Sequence, residues 1–233
     1  LGDYENSLNF LNQSLEIYQK TGLRREEALA LSSIGAIFSN RGDKEKSLEF
    51  YQKALALQKT LENKKGYLII LRNLGRGYLE KGELQKSREH FSEALNIARE
   101  INDVAYLADC HSLLGQTLEK SGNNKEAETN FVKAAALQRE SGLEADLADT
   151  LFYYAKLEEK NGKRASALEK IREALKIIEN LRASIISQNL RSSFLAEQQK
   201  YYDFYVQLLV SEHKAQPAKG FDKSAFIISE RVR

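Results

Sequence analysis

One large apolar position recurs along the chain every forty residues, at Leu11, Tyr51, Phe91, Phe131 and Ile171. Three residues on stand Ser14, Ala54, Ala94, Ala134 and Ala174, each followed by Leu15, Leu55, Leu95, Ala135 or Leu175. Offsets of three and four place these side chains on one stripe of a helix. A row of glycines, Gly2, Gly42, Gly82, Gly122 and Gly162, keeps the same interval. Seven residues before the last four of them stand Gly35, Gly75, Gly115 and Ala155. Five residues after each glycine is another small residue, Ser7, Ser47, Ser87, Ala127 or Ala167.

The pattern predicts paired antiparallel helices. Gly42 and its equivalents follow one helical run and precede the next, the place of a left-handed residue closing a helix. Asp3, Asp43 and Asn123 are suited to cap the helix that follows, whereas Lys163 is not. Small residues at Gly35 and Ser47 let two helices approach closely, with Tyr51 and Phe38 filling the space on either side. The expected elements are an unpaired second helix over 3–20, then hairpins 24–41 with 43–61, 65–81 with 83–100, 104–121 with 123–140, and 144–161 with 163 to about 187. Short connections at Gly22, Asn63, Asn102 and Gly142 join them. The unpaired first element implies a further helix upstream, since its inner face is otherwise left open.

Composition supports long helices: one proline, no tryptophan or methionine, 42% hydrophobic and 29% charged residues. Thirty-five basic and 33 acidic residues give a net charge of +2 with no basic stripe, which argues against nucleic acid as a partner. No apolar run approaches the roughly 20 residues that span a bilayer, so no membrane association is expected and a cytoplasmic location is. The single Cys110 has no partner for an internal disulfide. Opening inside a repeat at Leu1, the sequence reads as part of a longer protein.

The segments LSSIGAIFSNRGDKEKSLEFYQKALAL, LRNLGRGYLEKGELQKSREHFSEALNI and HSLLGQTLEKSGNNKEAETNFVKAAAL carry small and large residues at the offsets of the tetratricopeptide motif, and the chain resembles that family. It departs from the pattern in lacking a proline after the second helix and in its forty-residue period, about six longer than usual. The resemblance implies an all-α, right-handed superhelix of helical hairpins, bound to protein or peptide partners along its concave side.

Beyond about residue 187 the period fails. The run NLRSSFLAEQQKYYDFYVQLLVSEHK predicts a helix with Phe194, Tyr201, Tyr205 and Leu208 on one side, widened by Tyr202, Val206 and Leu209. The expected division is thus a repeat array over 1–187, a capping helix over 188–215, and over 216–233 the start of a linker helix after the Gln216-Pro217 break. From IENLRASIISQNLRSSF through KGFDKSAFIISERVR the tail is similar to the segment that joins tetratricopeptide arrays to CHAT domains, the caspase-like peptidases of bacteria. That resemblance implies a downstream peptidase domain whose catalytic His and Cys lie outside this sequence.

No catalytic, metal or cofactor constellation emerges. Cys110 and His111 are adjacent on a helix, so their side chains diverge by about 100°. His90 and His213 stand alone and are read as surface residues. The glycines sit at helix ends and crossings, with no strand and loop to cradle phosphate. Partner binding is instead expected from the first helix of each pair: Ser32, Ala36 and Ser39; Ile69, Arg72, Asn73, Arg76 and Glu80; Asp109, Ser112, Gln116 and Lys120; Asp149, Phe152, Lys156 and Glu159. Among these Arg72, Asn73, Arg76, Asp109, Gln116, Phe152 and Lys156 are the principal candidates. Arg72 and Arg76 lie four apart on one face, placed to grip a carboxylate or a peptide backbone; the alternative is that they pair with Asp109 or Glu80. Ser32, Ala36, Asp109 and Leu113 occupy positions where chaperone-binding relatives carry Lys, Asn or Arg, which disfavours that role. Self-association through the apolar ends, with no peptide ligand, is the alternative function.

Overall fold

The computed structural model describes residues 3–187, 194, 198–217 and 220–232. Among them the chain is helical throughout, with eleven helices and no strand. It divides into two compact units, residues 1–122 and 123–233. The first holds α1 (Tyr4–Thr21), α2 (Arg24–Asn40), α3 (Lys44–Gln58), α4 (Lys64–Lys81), α5 (Leu84–Glu100) and α6 (Val104–Lys120). The second holds α7 (Asn124–Glu140), α8 (Glu144–Lys160), α9 (Arg164–Ser184), α10 (Gln199–Ala215) and α11 (Phe221–Val232). Consecutive helices pack on one another within each unit, giving the expected all-α solenoid of hairpins.

Local chemistry sets the helix ends. Asp3 and Asp43 accept hydrogen bonds from the N–H groups three residues on, as expected, and Asn63 and Asp103 do the same. Asn123 stands at the N-cap of α7 but makes no side-chain capping bond, so that expectation fails. Gly42, Gly82, Gly122 and Gly162 have φ of 79°, 82°, 83° and 76°. The left-handed turn lets the next amide reach back: Asp43 N–H to Phe38 O at 2.9 Å, Glu83 to Tyr78 O at 2.9 Å, and Lys163 to Glu158 O at 2.8 Å. Gly2 of the same series lies outside the described residues. At the other connections Gly22 and Gly142 are left-handed, but Glu62 and Asn102 take the conformation without glycine, at φ 49° and 56°. Helix α3 ends at Gln58 instead of 61, its last turn drawn in by Thr60 N–H and Oγ1, both bonded to Leu57 O.

The crossings explain the small residues. A Cβ on Gly35 would lie 2.9 Å from the Tyr51 ring, and one on Gly75 would lie 2.6 Å from the Phe91 ring. In unit 1 the core gathers Leu31, Leu48, Tyr51, Ile70 and Leu74 around α2–α4, and Leu68, Leu71, Phe91, Ala94 and Leu114 around α4–α6. Phe38, expected beside Gly35, stacks on Phe50 of α3 with ring centroids 5.5 Å apart. Each fully buried ring or branched side chain contributes roughly 1.5–3 kcal/mol of apolar transfer.

In unit 2 the core runs from Leu147, Leu151 and Phe152 through Ile171 and Ile178 to Tyr201, Tyr202, Leu208 and Leu209. The expected capping helix falls partly on residues outside the description; its described part is α10, which packs on α9, with α11 packed on it in turn. Phe194 is partly buried against the same core. Among the described residues no helix is long and apolar enough to cross a membrane.

Candidate partner-binding face

In the hairpins α2–α3 and α4–α5 the first helix presents two surfaces, one buried under the second helix and one turned away from it. In unit 1 this second kind of surface, on α2 and α4, and the side of α6 that meets α4 carry the candidates. Core residues Leu71, Leu74, Gly75 and Tyr78 fix the rotation of α4, leaving Arg72, Asn73, Arg76 and Glu80 on its outer side. Arg72 and Asp109 meet across α4 and α6. The guanidinium donates from Nε to Asp109 Oδ2, and from Nη2 to Oδ1 at 3.4 Å. Both side chains are 25% exposed. Burial works against the charge of Arg72, but the hydrogen bond and charge of Asp109 outweigh it and hold the group above its ordinary value. Arg72 is thus committed to the protein's own carboxylate, the alternative left open by the sequence.

Arg76 is different. It is exposed and has no ion pair among the described residues, although its charge is felt by the buried phenol of Tyr51. Asn73 and Gln116 are half-buried amides with no side-chain hydrogen bond to any described residue. An amide in that position offers a donor and an acceptor together, the complement of a peptide group. Ser32, Ala36 and Ser39 are half-buried on α2, Ser112 is buried, and Lys120 is exposed at the end of α6.

Unit 2 treats the corresponding surface of α8 otherwise. Phe152 is only 6% exposed, its ring packed on Tyr201 at 5.1 Å and on Phe204 at 5.6 Å. Asp149 accepts from Tyr201 Oη at 2.8 Å and Lys200 Nζ at 2.7 Å. Burial, then the Asp149 charge and its hydrogen bond, push the Tyr201 phenol well above its ordinary value. Phe152, read from the sequence as open to a partner, is therefore covered by the chain's own α10, whereas Asp149 is bonded to α10 but keeps a side chain 51% exposed. Lys156 stays exposed, its ammonium 5.6 Å from the Phe152 ring centroid.

The remaining titratable groups serve packing. Cys110 is buried without exposure, and desolvation followed by the Asp109 charge raises its thiol to about 12. His90, expected at the surface, is half-buried and stacked on Tyr78 at 5.4 Å, where desolvation lowers its pKa. The forty-residue step from Phe38 to Tyr78 and from Phe50 to His90 is the signal that locates this second stack. His213 lies 3.6 Å from Asp222. Among the described residues no three His, Cys, Asp or Glu side chains cluster in a way that would hold a metal ion.

The family model described as tetratricopeptide repeat matches residues 1–60, 26–100 and 66–140 of the chain. No curated protein matches it at a significant level. Among solved structures, BtubC (BKLC) from P. vanneervenii is similar with a TM-score of 0.77 and 17% identity, over 99% of this chain and 92% of that one. A Podosopora anserina protein of kinesin-light-chain type, with nearly identical TPR-like repeats, gives 0.63 and 16%, over 88% and 95%. The apo form of RapI gives 0.63 and 17%, over 89% and 83%. At these identities the likeness is one of fold.

Proposed function

Since the chain belongs to the tetratricopeptide repeat family, whose fold is that of a protein-interaction module, we propose that the outer surface of α4 and α6 takes an extended segment of a partner protein. The observation that carries the reading is the set of polar side chains there that make no hydrogen bond or ion pair with another described residue: Asn73 and Gln116 half-buried, Arg76 exposed. A bound peptide backbone would satisfy the two amides, and Arg76 would favour an acidic group beside it. Arg72, already held by Asp109, sets the shape of the surface. The resemblance of the tail to CHAT-linked segments supports a setting in which the array positions or regulates a downstream peptidase domain in a bacterial cytoplasm.

The test is a displayed library of random dodecapeptides, selected on the protein and counter-screened on an Asn73→Asp, Arg76→Glu variant. Both positions are outside the core, so the variant is expected to fold. The selected peptides should lose roughly tenfold or more in affinity for it. Equal binding to both proteins would remove this surface from the function.

A further inference from the structure

Helix α4 touches both neighbouring first helices, α2 and α6, as well as its hairpin partner α5, so the side chains it leaves exposed are left so by a complete set of neighbours. Ile69, Asn73, Arg76 and Glu80 follow one another at steps of four, three and four along one stripe of its outer side. The last two are exposed and of opposite charge, yet no ion pair joins either of them to a described residue. Nearby charges are engaged elsewhere. Lys44 Nζ donates to the backbone oxygen of Glu80 at 2.9 Å, Lys81 pairs with Glu83 at 3.3 Å, and Arg72 is held by Asp109. Lys120, the corresponding residue of α6, is exposed and pairs with no described residue. Pairing between Arg76 and Glu80 themselves would have the weaker order, since a carboxylate supports a helix better when it precedes its cation by four residues. An exposed pair of that kind holds only weakly.

Four helical residues set the two charges about 6 Å apart along the axis. In an extended chain, side chains two residues apart point the same way and lie about 6.6 Å apart. Resting on the peptide-binding use of this surface, we infer that the bound segment carries an acidic and a basic residue two positions apart and lies in the interior of its partner's chain. The acid sits against Arg76 and the base against Glu80, while Asn73 is left to the backbone of the segment. A chain terminus or a phosphorylated residue finds too little positive charge here. With Arg72 neutralised, Arg76 is the one uncompensated cation among the described residues of this stripe, and Glu80 beside it repels the second charge of a phosphate.

The experiment measures individual peptides selected from the random library, by anisotropy, on the parent protein and on Glu80→Lys, a change at an exposed position near the end of α4. Among the selected sequences, Asp or Glu should stand two positions from Lys or Arg more often than one or three. Glu80→Lys should weaken these peptides about fivefold or more, and the loss should shrink in high salt. Exchanging the two charges of one such peptide should restore its affinity for the doubly exchanged protein, Arg76→Glu with Glu80→Arg, which damage to the fold could not do. Peptides that depend on Asn73 and Arg76 but bind Glu80→Lys as tightly as the parent overturn the inference and leave the binding surface standing. So does tighter binding of synthetic versions with phosphoserine, or a free C-terminal carboxylate, in place of the acid. A dimer seen by light scattering without peptide and abolished by Glu80→Lys overturns it too, because the occupant is then a second copy. Peptides indifferent to Asn73→Asp, Arg76→Glu overturn the inference and the binding surface together.

Discussion

Substituting Gly75 by alanine sets two effects of opposite sign against each other at the crossing of α4 and α5. Alanine at an interior helical position gains about 1 kcal/mol over glycine by restricting the unfolded chain. The new methyl, however, would lie 2.6, 2.7 and 2.9 Å from Cε1, Cδ1 and Cζ of Phe91, where ordinary contact begins at 3.4 Å. Relief requires the ring to move by most of an ångström, yet Phe91 has no solvent-exposed surface and is enclosed by Leu68, Leu71, Ala94 and Leu95. Overpacking of this kind costs about 1–3 kcal/mol, so the net effect is a loss of up to about 2 kcal/mol. Gly77 is the internal control. A methyl there meets only the side chain of Leu48, Cδ2 at 2.8 Å and Cγ at 3.4 Å, and a leucine terminus can turn away. Gly77→Ala should therefore stay within about 0.5 kcal/mol of the parent. Because the chain has two compact units and need not unfold in one step, the assay is hydrogen exchange read on peptides from α4 and α5. Phe91→Leu costs stability in the parent but should cost much less in the Gly75→Ala background, since the shorter side chain makes room for the methyl. Stability of Gly75→Ala equal to or above the parent, or identical losses from Phe91→Leu in both backgrounds, refutes the reasoning.

Three further outcomes follow from the structure. Asp109→Asn leaves the partly buried Arg72 uncompensated and should cost about 1–3 kcal/mol, reduced from the fully buried case by water at the site; replacing both residues, Arg72→Met with Asp109→Leu, should cost less than the single change by urea titration. Cys110, buried and with its thiol raised to about 12, should resist iodoacetamide at pH 8 until the protein unfolds, which mass spectrometry of alkylated protein against urea concentration will show. Asp103 accepts from Tyr106 N–H and pairs with Lys65 at 3.0 Å; burial opposes its charge, but these partners prevail and its pKa lies below 3.8. A depressed carboxylate stabilises the fold above its unfolded pKa. Asp103→Ala should thus cost about 1 kcal/mol at neutral pH, with the difference from the parent shrinking as pH falls below about 3.8 toward the folded value.

The hairpins were legible because their determinants are local or strictly periodic. A left-handed glycine ends a helix whatever lies elsewhere, and Gly35 opposite Tyr51 repeats as Gly75 opposite Phe91. Asn123 shows the limit: residue type permits a cap, but the side chain must also turn toward the first helical turn, and at α7 it does not. The candidate face was legible only to the level of the helix surface. Spacing along α4 puts Arg72 and Arg76 together, but whether a guanidinium is free depends on the neighbouring helix, 37 residues away at Asp109. His90 looked solvent-exposed for the same reason, since the ring that shelters it belongs to another helix.

The tail explains why Phe152 differs from the residue that precedes it by two repeats, Arg72. In unit 1 the Arg72 side chain reaches Asp109 on the next first helix, 37 residues on. In unit 2 Phe152 reaches Phe204, 52 residues on, and α10 starts at Gln199, fifteen residues later than the register of α8 would place the next first helix. Allowing for those fifteen residues, Phe204 falls on the position of Asp109, and Tyr201 on that of Tyr106. Helix α10 therefore takes the place of another first helix, with α11 packed on it as its second. The Arg72–Asp109 pair joins α4 and α6, whereas an aromatic cluster joins α8 and α10, with the part-exposed Lys200–Asp149 pair beside it. The insertion broke the forty-residue count by which the sequence was read, while the packing rule behind the count continued through it.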